Sequence, residues 1–154
     1  MTSFAPALSF AFEIRARVAP SLDVARGGPV TEFTPITGGT VAGPRLTGTV
    51  LAGGGDWSST SRADGVCRLE ARYLIRADDG AVIDIVNRGF YRPDAGTAAQ
   101  RDGDLTVAAD GLYFRTSPVF HTDAPAHRWL AETVFVGLAR DEDDVIAIRL
   151  YAVE

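Results

Sequence analysis

The sequence predicts an all-β protein: a closed or nearly closed antiparallel β-barrel of about eight to ten strands, with at most one short helix. Short segments that alternate between apolar and polar residues recur along the chain, and turns rich in glycine and aspartate separate them at even spacing. The first and last segments are both long and apolar, so they can pair and leave no exposed sheet edge. Residues 1–154 have the length of one domain, and the chain contains no linker or repeat.

The N-terminal third of the chain contains three predicted strands. Residues 7–18 alternate between apolar and charged or polar side chains, which is the period of a strand with one buried face. A second strand covers residues 30–36 and ends at Gly38-Gly39. A third strand covers residues 40–51, with a bend or bulge at Gly43-Pro44.

A polar loop precedes the clearest strand of the sequence. The loop opens on three glycines and covers residues 53–65. Residues 66–76 carry apolar side chains on one face and charged side chains on the other. Asp79-Gly80 then forms a tight turn, since Asp-Gly is a strong hairpin signal, and residues 81–88 return antiparallel.

The C-terminal part adds further short strands. Residues 89–111 are mixed and polar, and residues 105–108 are a candidate strand within them. Another strand covers residues 112–116. Residues 133–140 and 145–153 close the chain as a hairpin.

The helix signal of this chain lies within residues 117–131. Thr122 or Asp123 is the expected cap, because both side chains can accept a hydrogen bond from the first turn. Pro125 fits that first turn, where its missing N–H is tolerated. The sequence therefore predicts one short helix before the closing hairpin.

Composition excludes several classes of function. The net charge is -5 and the isoelectric point about 5.0, without a basic cluster, so we expect no nucleic-acid partner. All 15 basic side chains are arginines, and the absence of lysine excludes a Schiff base on a lysine amine. The apolar runs are too short for a transmembrane helix, so no membrane association is expected.

The single cysteine and the N-terminus predict the cellular compartment. Cys67 has no cysteine to pair with, which fits a reducing environment, and its place in the alternation assigns it to the core. The first ten residues have no basic side chain and Pro6 interrupts them, unlike a secretory signal peptide. We therefore expect a cytoplasmic protein.

The charged face of the strand over residues 66–76 has two interpretations. It is either a solvated exterior or the wall of a polar lumen, in which Glu70 and Arg72 project inward and pair with each other. In the second case the apolar face of the strand lies outside and needs a cover, which predicts a homo-oligomer, a dimer or larger. In that case Arg72→Ala would destabilise the fold by leaving Glu70 partly unpaired.

An ordered set of short motifs links this chain to a known family. The motifs are Ile36–Val50, Gly54–Trp57, Leu69–Tyr73, Asp79-Gly80, Asn87–Gly89, Tyr113–Pro118 and Trp129-Leu130. Together they resemble the domain-of-unknown-function 3237 family, also called uncharacterised protein family 0311. This resemblance implies a closed antiparallel barrel and a small, oligomeric bacterial protein without an assigned activity. The chain departs from the family pattern at Glu70, His121 and His127, where the family has an aspartate, a glutamate and an aromatic residue.

Asp56 is the first candidate catalytic residue. It follows three glycines and precedes Trp57, so it can be a carboxylate on a mobile lip with an indole wall beside it. The alternative is an Asx-type turn in which Trp57 caps the barrel end. An exposed lip carboxylate contributes little to folding, so Asp56→Asn is expected to leave stability nearly unchanged.

Three further polar residues are candidates at the same site. Arg72 and Arg115 lie centrally in strands, and an inward arginine would need a carboxylate or an anionic ligand; the alternative is an exterior ion pair. Asn87 ends a strand, where it can hydrogen-bond a substrate carbonyl or simply form a turn.

The two histidines offer a base but no metal site. His121 and His127 lack metal-binding spacing and a cysteine neighbour, so we expect no metal. Imidazole titrates near neutral pH, which makes His121 a candidate base, whereas His127 fits a surface position. The chain has no GxSxG, P-loop or GxGxxG motif in its proper context, so no cofactor is expected.

Three hypotheses for the function follow. The first is a cofactor-independent isomerase, cyclase, dehydratase or hydrolase that acts on a small cyclic or aromatic oxygenated metabolite. The second is a binding protein without turnover, and the third is a structural barrel with a filled interior. In the first, a set of catalytic and substrate-binding residues converges on one cavity: Asp56, His121, Arg72 and Arg115 as catalytic residues, and Asn87, Trp57, Glu70, Tyr113, Phe120 and Trp129 around the substrate.

Overall fold

The computed structural model describes residues 4–93 and 112–154 and confirms the predicted fold class. Within these residues the regular secondary structure consists of antiparallel strands and one helical segment between the eighth and ninth strands. The strands are β1 (Leu8–Val18), β2 (Leu22–Ala25), β3 (Val30–Ala42), β4 (Gly48–Val50), β5 (Gly55–Thr60), β6 (Cys67–Ala77), β7 (Val82–Pro93), β8 (Leu112–His121), β9 (Phe135–Asp141) and β10 (Val145–Val153).

The ten strands occupy eight positions around a closed barrel. β4 and β5 lie end to end between β3 and β6, and β1 and β2 lie end to end along β3, so each pair fills one position. β1 pairs with β10 on its other side, which closes the ring between the first and last strands as expected. Every pairing is antiparallel, and successive positions are neighbours, which is the arrangement of an up-and-down barrel.

Gly38-Gly39 does not end a strand, contrary to the prediction. β3 continues through both glycines, with φ values of 149° and 146°, and changes its neighbour from β2 to β1 at this point. A side chain at Gly39 would collide with the backbone oxygen of Arg15, so the glycine lets two strands approach closely. The turn between β3 and β4 instead contains Gly43-Pro44.

Two strands were not predicted, because neither has an amphipathic pattern. Residues 55–60 were assigned to a loop, but β5 is hydrogen-bonded along both edges, to β3 and to β6. The four exposed residues of β2 pair with β3. In both cases the neighbouring strands impose the extended conformation. The candidate strand at residues 105–108 lies outside the described residues.

The helical segment is shorter than predicted and is capped differently. A 3₁₀ turn, Pro125–His127, leads into a single α-helical turn, α1 (Arg128–Ala131). Pro125 occupies the first turn as expected, but the cap residue is Ala124, which has no side-chain cap. The hydroxyl of Thr122 accepts a hydrogen bond from the N–H of Ala124 at 3.2 Å, so it shapes the loop before the helix.

The helical segment covers one end of the barrel, and the interior at that end is filled. Phe135 lies at the centre, with ring centroids 5.2 Å from Phe120, 5.7 Å from Trp129 and 6.3 Å from Phe12. Leu130 of α1 is fully buried against this cluster. The filled end fixes the barrel and leaves the interior at the opposite end open. Among the described residues, no helix is long and apolar enough to cross a membrane.

Candidate functional site

A cavity of about 720 Å³ occupies the barrel at the end away from α1. Its mouth lies between the β1–β2 turn, the β5–β6 turn and the β9–β10 turn. Its floor is formed by inward side chains of the central strands, which include both polar and apolar groups: Asp56, Leu69, Ala71, Tyr73, Asn87, Phe114, Thr116 and Ile148. The structural hypothesis of a filled barrel is therefore not favoured.

Asp56 and Asn87 face each other across one small residue. Asp56 on β5 pairs with Ala71 on β6, and Ala71 pairs with Asn87 on β7. Neighbouring strands lie about 4.8 Å apart, so the backbones of Asp56 and Asn87 are separated by about 10 Å. Because Ala71 carries only a methyl group, the space between the carboxyl and the amide stays open to a ligand.

Burial changes the acidity of Asp56. It raises the pKa of this carboxyl from 3.8 to about 6, although a backbone hydrogen bond from Glu70 acts in the opposite direction. The Oδ1 atom is buried and has no hydrogen-bond partner among the described residues. A carboxyl with a pKa near neutrality can take up and release a proton under physiological conditions.

Three more polar side chains point into the cavity with unused hydrogen-bonding atoms. The side chains of Tyr73, Asn87 and Thr116 are 3%, 1% and 5% exposed. The Tyr73 hydroxyl, the Asn87 Oδ1 and the Thr116 Oγ1 are buried and have no partner in the described part of the chain. Buried polar groups in native proteins are almost always paired, so these atoms are positioned for a ligand or for water.

Tyr73 is held in its neutral form. Burial raises the pKa of its hydroxyl far above the usual range, and the negative charge of Asp56 raises it further. The hydroxyl is therefore protonated near neutral pH and can donate a hydrogen bond. It stands next to a carboxyl that can change its protonation state.

The mouth of the cavity is acidic. Of the described residues that line the cavity, five carry a carboxylate and none is an arginine; the acids are Glu32, Asp56, Asp141, Asp143 and Asp144. No group of three or more histidine, cysteine or acidic side chains in the described ranges has the arrangement of a metal site.

The structure places Asp56 and Asn87 in the lining of one cavity and the other eight candidate residues outside it. Asp56 lies on a strand, not on a mobile lip, and Trp57 projects to the opposite face, 55% exposed. Adjacent residues of a strand point to opposite sides of the sheet, so the neighbouring side chains of Asp56 and Trp57 cannot both face the cavity. Trp57 stacks on Phe33 outside the barrel, with the ring centroids 4.7 Å apart.

The polar-lumen interpretation of β6 is also wrong. Leu69, Ala71 and Tyr73 face inward, while Glu70 and Arg72 are exposed on the outside. The two charged side chains do not pair with each other: Glu70 binds Arg88 at 2.6 Å, and Arg72 binds Asp84 at 2.9 Å. Because the apolar face of β6 lies inside the barrel, it needs no cover from a second subunit. The homo-oligomer therefore stays a prediction without this support.

Arg115 and Tyr113 lie outside the cavity as well. They line a groove of about 840 Å³ on the outer surface of the barrel, together with Trp57 and Glu70. The guanidinium of Arg115 lies 5.2 Å from the Tyr113 ring centroid and donates a hydrogen bond to the carbonyl of Phe114. β8 exposes its odd-numbered residues and buries its even-numbered ones, which places both side chains outside.

The remaining candidates lie at the filled end or on the surface. Phe120 is 3% exposed and belongs to the aromatic cluster around Phe135. Trp129 packs against Phe135 in the same cluster, and the Arg45 guanidinium lies 3.9 Å from the Trp129 ring centroid. Neither forms a rim of the cavity. His121 is exposed on the outer face of β8, so it cannot act as the base of this site. His127 is not a free surface residue, since its Nε2 lies 2.7 Å from Asp79.

We expect Arg72→Ala to leave the free energy of unfolding nearly unchanged, because exposed ion pairs contribute little to stability. This reverses the expectation from the sequence, in which Arg72 is a buried partner of Glu70. Urea denaturation of the variant beside the wild type measures the difference. A clear drop in the denaturation midpoint would show that Arg72 has a role beyond this surface contact.

Sequence reasoning missed Tyr73, Thr116 and the acidic mouth. The alternation of β6 places Tyr73 on the apolar face, which is its face in the structure, but this pattern does not indicate that the hydroxyl is free to bind a ligand. Thr116 fits because β9 has a glycine beside it: a side chain at Gly137 would collide with the Thr116 hydroxyl. The alternation of β8 carried a signal for Thr116, since it shares the inward face with Phe114 and Phe120.

Comparisons with known proteins identify the relatives of this barrel. Residues 6–153 match the family model described as "Protein of unknown function (DUF3237)". A UPF0311 protein of Clostridium acetobutylicum is 39% identical over 123 residues, which are 79% of this chain and 77% of the relative. The crystal structure of a conserved protein of unknown function from Rhodopseudomonas palustris superposes with a TM-score of 0.84 at 31% identity, covering 99% of this chain and 100% of that one.

A fungal protein shows a more limited similarity. The hydroalkoxylation enzyme of Penicillium herquei is 38% identical over 79 residues, which are 51% of this chain and 52% of the fungal protein. The two bacterial relatives above carry no activity in their names, whereas the fungal protein is named as an enzyme.

Proposed function

The chain belongs to the DUF3237 family, and we propose that it is an acid–base enzyme that adds a substrate hydroxyl across a conjugated C=C bond, or reverses this addition. The substrate is a small cyclic or aromatic oxygenated metabolite that enters the barrel cavity. Asp56 transfers the proton, and Asn87 and Tyr73 bind the substrate oxygens.

The observation that carries this proposal is the environment of Asp56. Its carboxyl lies inside an open cavity, has a buried oxygen without a partner, and has its pKa raised to about 6. A protein that only binds a ligand does not need to place a carboxyl in a buried environment that disfavours its charged form. The combination of cavity, orphaned oxygen and raised pKa is typical of a proton-transfer residue.

The proposed reaction is balanced without an oxidant or a reductant. The Asp56 carboxylate takes the proton of the substrate hydroxyl, and the oxygen bonds to the β carbon of an unsaturated carbonyl compound. The π electrons of the C=C bond move toward the carbonyl oxygen and form an enolate. The neutral Asp56 carboxyl then returns its proton to the α carbon, so the enzyme ends in its starting form.

Tyr73 is suited to the charge that develops in this reaction, and Asn87 to the substrate hydroxyl. The Tyr73 hydroxyl can donate a hydrogen bond to the enolate oxygen as it becomes negative, and the Asn87 Oδ1 can accept one from a substrate O–H. Arg72 and Arg115 were assigned to this task from the sequence, but both lie outside the cavity. Neutral donors in a buried site need no counter-charge, so the site is suited to substrates without a carboxylate.

The fungal relative gives independent support for the reaction class. Hydroalkoxylation is the addition of an alcohol O–H across a C=C bond, and the protein named for it is 38% identical to part of this chain. The bacterial substrate and the direction of reaction are separate questions, which the substrate assay addresses.

Ring closure of 2′-hydroxychalcone to flavanone tests the proposed reaction. This neutral probe contains the hydroxyl, the conjugated double bond and the carbonyl within one small molecule. We expect the wild type to accelerate the loss of its absorbance over the spontaneous rate and, in deuterated water, to place one deuterium on the α carbon. A rate equal to that of the Asp56→Asn variant would contradict a role for Asp56 in catalysis.

Filling the space between Asp56 and Asn87 is expected to weaken binding of the same probe strongly. Ala71→Leu adds three carbons to this part of the cavity, so we expect affinity to fall by about 100-fold, the effect of losing a fitted pocket. Calorimetric titration measures it, and Ala71→Ser is the matched control, which keeps the cavity open. Unchanged affinity in the leucine variant would place the ligand elsewhere.

A binding protein without turnover is the second candidate. The three buried polar atoms without partners favour it equally, because they require only that a ligand is present. Saturable binding of 2′-hydroxychalcone, sensitive to Ala71→Leu but without ring closure, would support this candidate over the enzyme.

A further inference from the structure

We propose that the substrate carries a cationic group, such as a protonated amine, which lies at the acidic mouth while its hydroxyl-bearing ring lies deep in the cavity. This inference rests on the proposed function, because it places the reacting hydroxyl at Asp56. It adds a second point of recognition that the reaction itself does not require.

The mouth carries carboxylates that form no ion pair in the described part of the chain. Glu32, Asp143 and Asp144 line it, and none of the three has an ion pair among the described residues. Their neighbour Glu142 differs, since it binds Arg15 at 2.6 Å and also binds Arg140. These two arginines bind a carboxylate outside the cavity, and the described lining of the cavity contains acidic side chains but no arginine.

A second and independent observation shows that the same cavity is built for a ligand. Asn87 is 1% exposed, and its Oδ1 is buried inside the cavity without a partner among the described residues. Thr116 and Tyr73 present further buried atoms of this kind. The acidic mouth is thus the entrance to a polar site, and any ligand that reaches the floor passes the carboxylates.

Charge and geometry together define the ligand. A concave site lined by one sign of charge concentrates ligands of the opposite sign and repels those of the same sign. The floor offers a carboxyl, an amide and two hydroxyls, which suit a phenol or an enol. Tyr91 and Phe114, with ring centroids 5.1 Å apart, add aromatic surface to the wall between the floor and the mouth. A ring with a hydroxyl at one end and an ammonium at the other matches the polar floor and the acidic mouth of the cavity.

Three phenols that share the ring and hydroxyl and differ in their para substituent and its charge test this inference. Tyramine is cationic, 4-ethylphenol is neutral and 4-hydroxyphenylacetate is anionic, while the ring and hydroxyl are the same. We expect tyramine to bind roughly tenfold or more tightly than 4-ethylphenol by calorimetry at low ionic strength, and the acid to bind more weakly than both. The preference for tyramine is expected to shrink at about 0.5 M salt, which screens exposed charges.

A double variant, Asp143→Asn with Asp144→Asn, removes two of the charges and preserves the shape of the turn. Asp143 has a φ of 66°, a conformation that asparagine tolerates as well as aspartate. We expect this variant to lose most of the preference for tyramine over 4-ethylphenol, because two of the mouth charges are gone, while the affinity for the neutral 4-ethylphenol changes little.

The outcomes separate this inference from the proposed function. Equal wild-type affinities for tyramine and 4-ethylphenol, with ring closure of 2′-hydroxychalcone retained, would overturn the cationic preference alone. A preference for tyramine over 4-ethylphenol that is as large in the double variant as in the wild type would also overturn it, because the mouth carboxylates would not be its cause. Charge-ordered binding without ring closure would instead retain the preference and overturn the proposed reaction.

Discussion

Asp56→Asn is expected to reduce turnover by about 10² to 10⁴-fold, the contribution of a general acid–base group. Asparagine preserves the size of the side chain but can neither accept the hydroxyl proton nor return it to carbon. In the wild type, kcat/KM is expected to rise with pH through about 6, where the buried carboxyl of the free enzyme loses its proton. The pH profile of 2′-hydroxychalcone ring closure measures both effects, and a profile that is flat through this range would exclude Asp56 as the base.

The same substitution is expected to stabilise the fold above neutral pH. The pKa of Asp56 is raised from 3.8 to about 6 on folding, so the folded state binds more protons than the unfolded state between these values. Wild-type stability from this group is fully present below about pH 4 and is lost as pH rises through 6. The variant avoids this loss, which amounts to as much as about 3 kcal/mol for a shift of two pKa units.

Urea denaturation of both proteins at several pH values checks this result. The difference in the free energy of unfolding is expected to be small near pH 4 and to grow with pH until it levels off above neutrality. A constant difference across the range would mean that Asp56 is not desolvated. From the sequence we expected no effect on stability, because Asp56 was placed on an exposed lip; its burial on β5 reverses that expectation.

Phe135→Ala is expected to destabilise the protein by about 3–5 kcal/mol, the usual effect of truncating a buried aromatic side chain. Phe135 is 1% exposed and contacts three aromatic rings at the filled end of the barrel. The surrounding strands are fixed by hydrogen bonds and cannot collapse into the space that is left.

Chemical denaturation measures this effect, and Leu74→Ala is the matched control, because Leu74 is a large apolar side chain that is 42% exposed. The control is expected to lose less than about 1 kcal/mol. Under conditions in which Phe135→Ala remains folded, its affinity for 2′-hydroxychalcone should be retained, because the cavity lies at the other end. A small loss of stability in Phe135→Ala would mean that the helical segment, and not the aromatic cluster, closes the barrel.

The local pattern of the sequence was enough to predict the fold class. Alternation with a period of two identified β1 and β6, since each has one buried and one exposed face, and the Asp79-Gly80 turn identified β7 as the return strand. The pairing of the first and last strands followed from their length and apolar character. Composition also identified arginine as the sole basic side chain, which limited the chemistry that any site could use.

The site depended on information that the local pattern does not contain. Alternation shows that Glu70 and Leu69 lie on opposite faces of β6, but not which face is inside, because a barrel can have a polar or an apolar lumen. β5 has too weak a pattern to be identified alone, so Asp56 and Trp57 were placed side by side in a loop.

Only the tertiary structure decided which side chains meet. Asp56 and Asn87 are 31 positions apart in the sequence, and they converge because both residues pair with Ala71. Arg115 is the opposite case, since it is adjacent to the inward-facing Thr116 and yet points outside. The register between strands sets these neighbours, and a shift by one residue would exchange the inner and outer faces. The burial that raises the pKa of Asp56 arises in the same way, from the walls that seven other strand positions place around it.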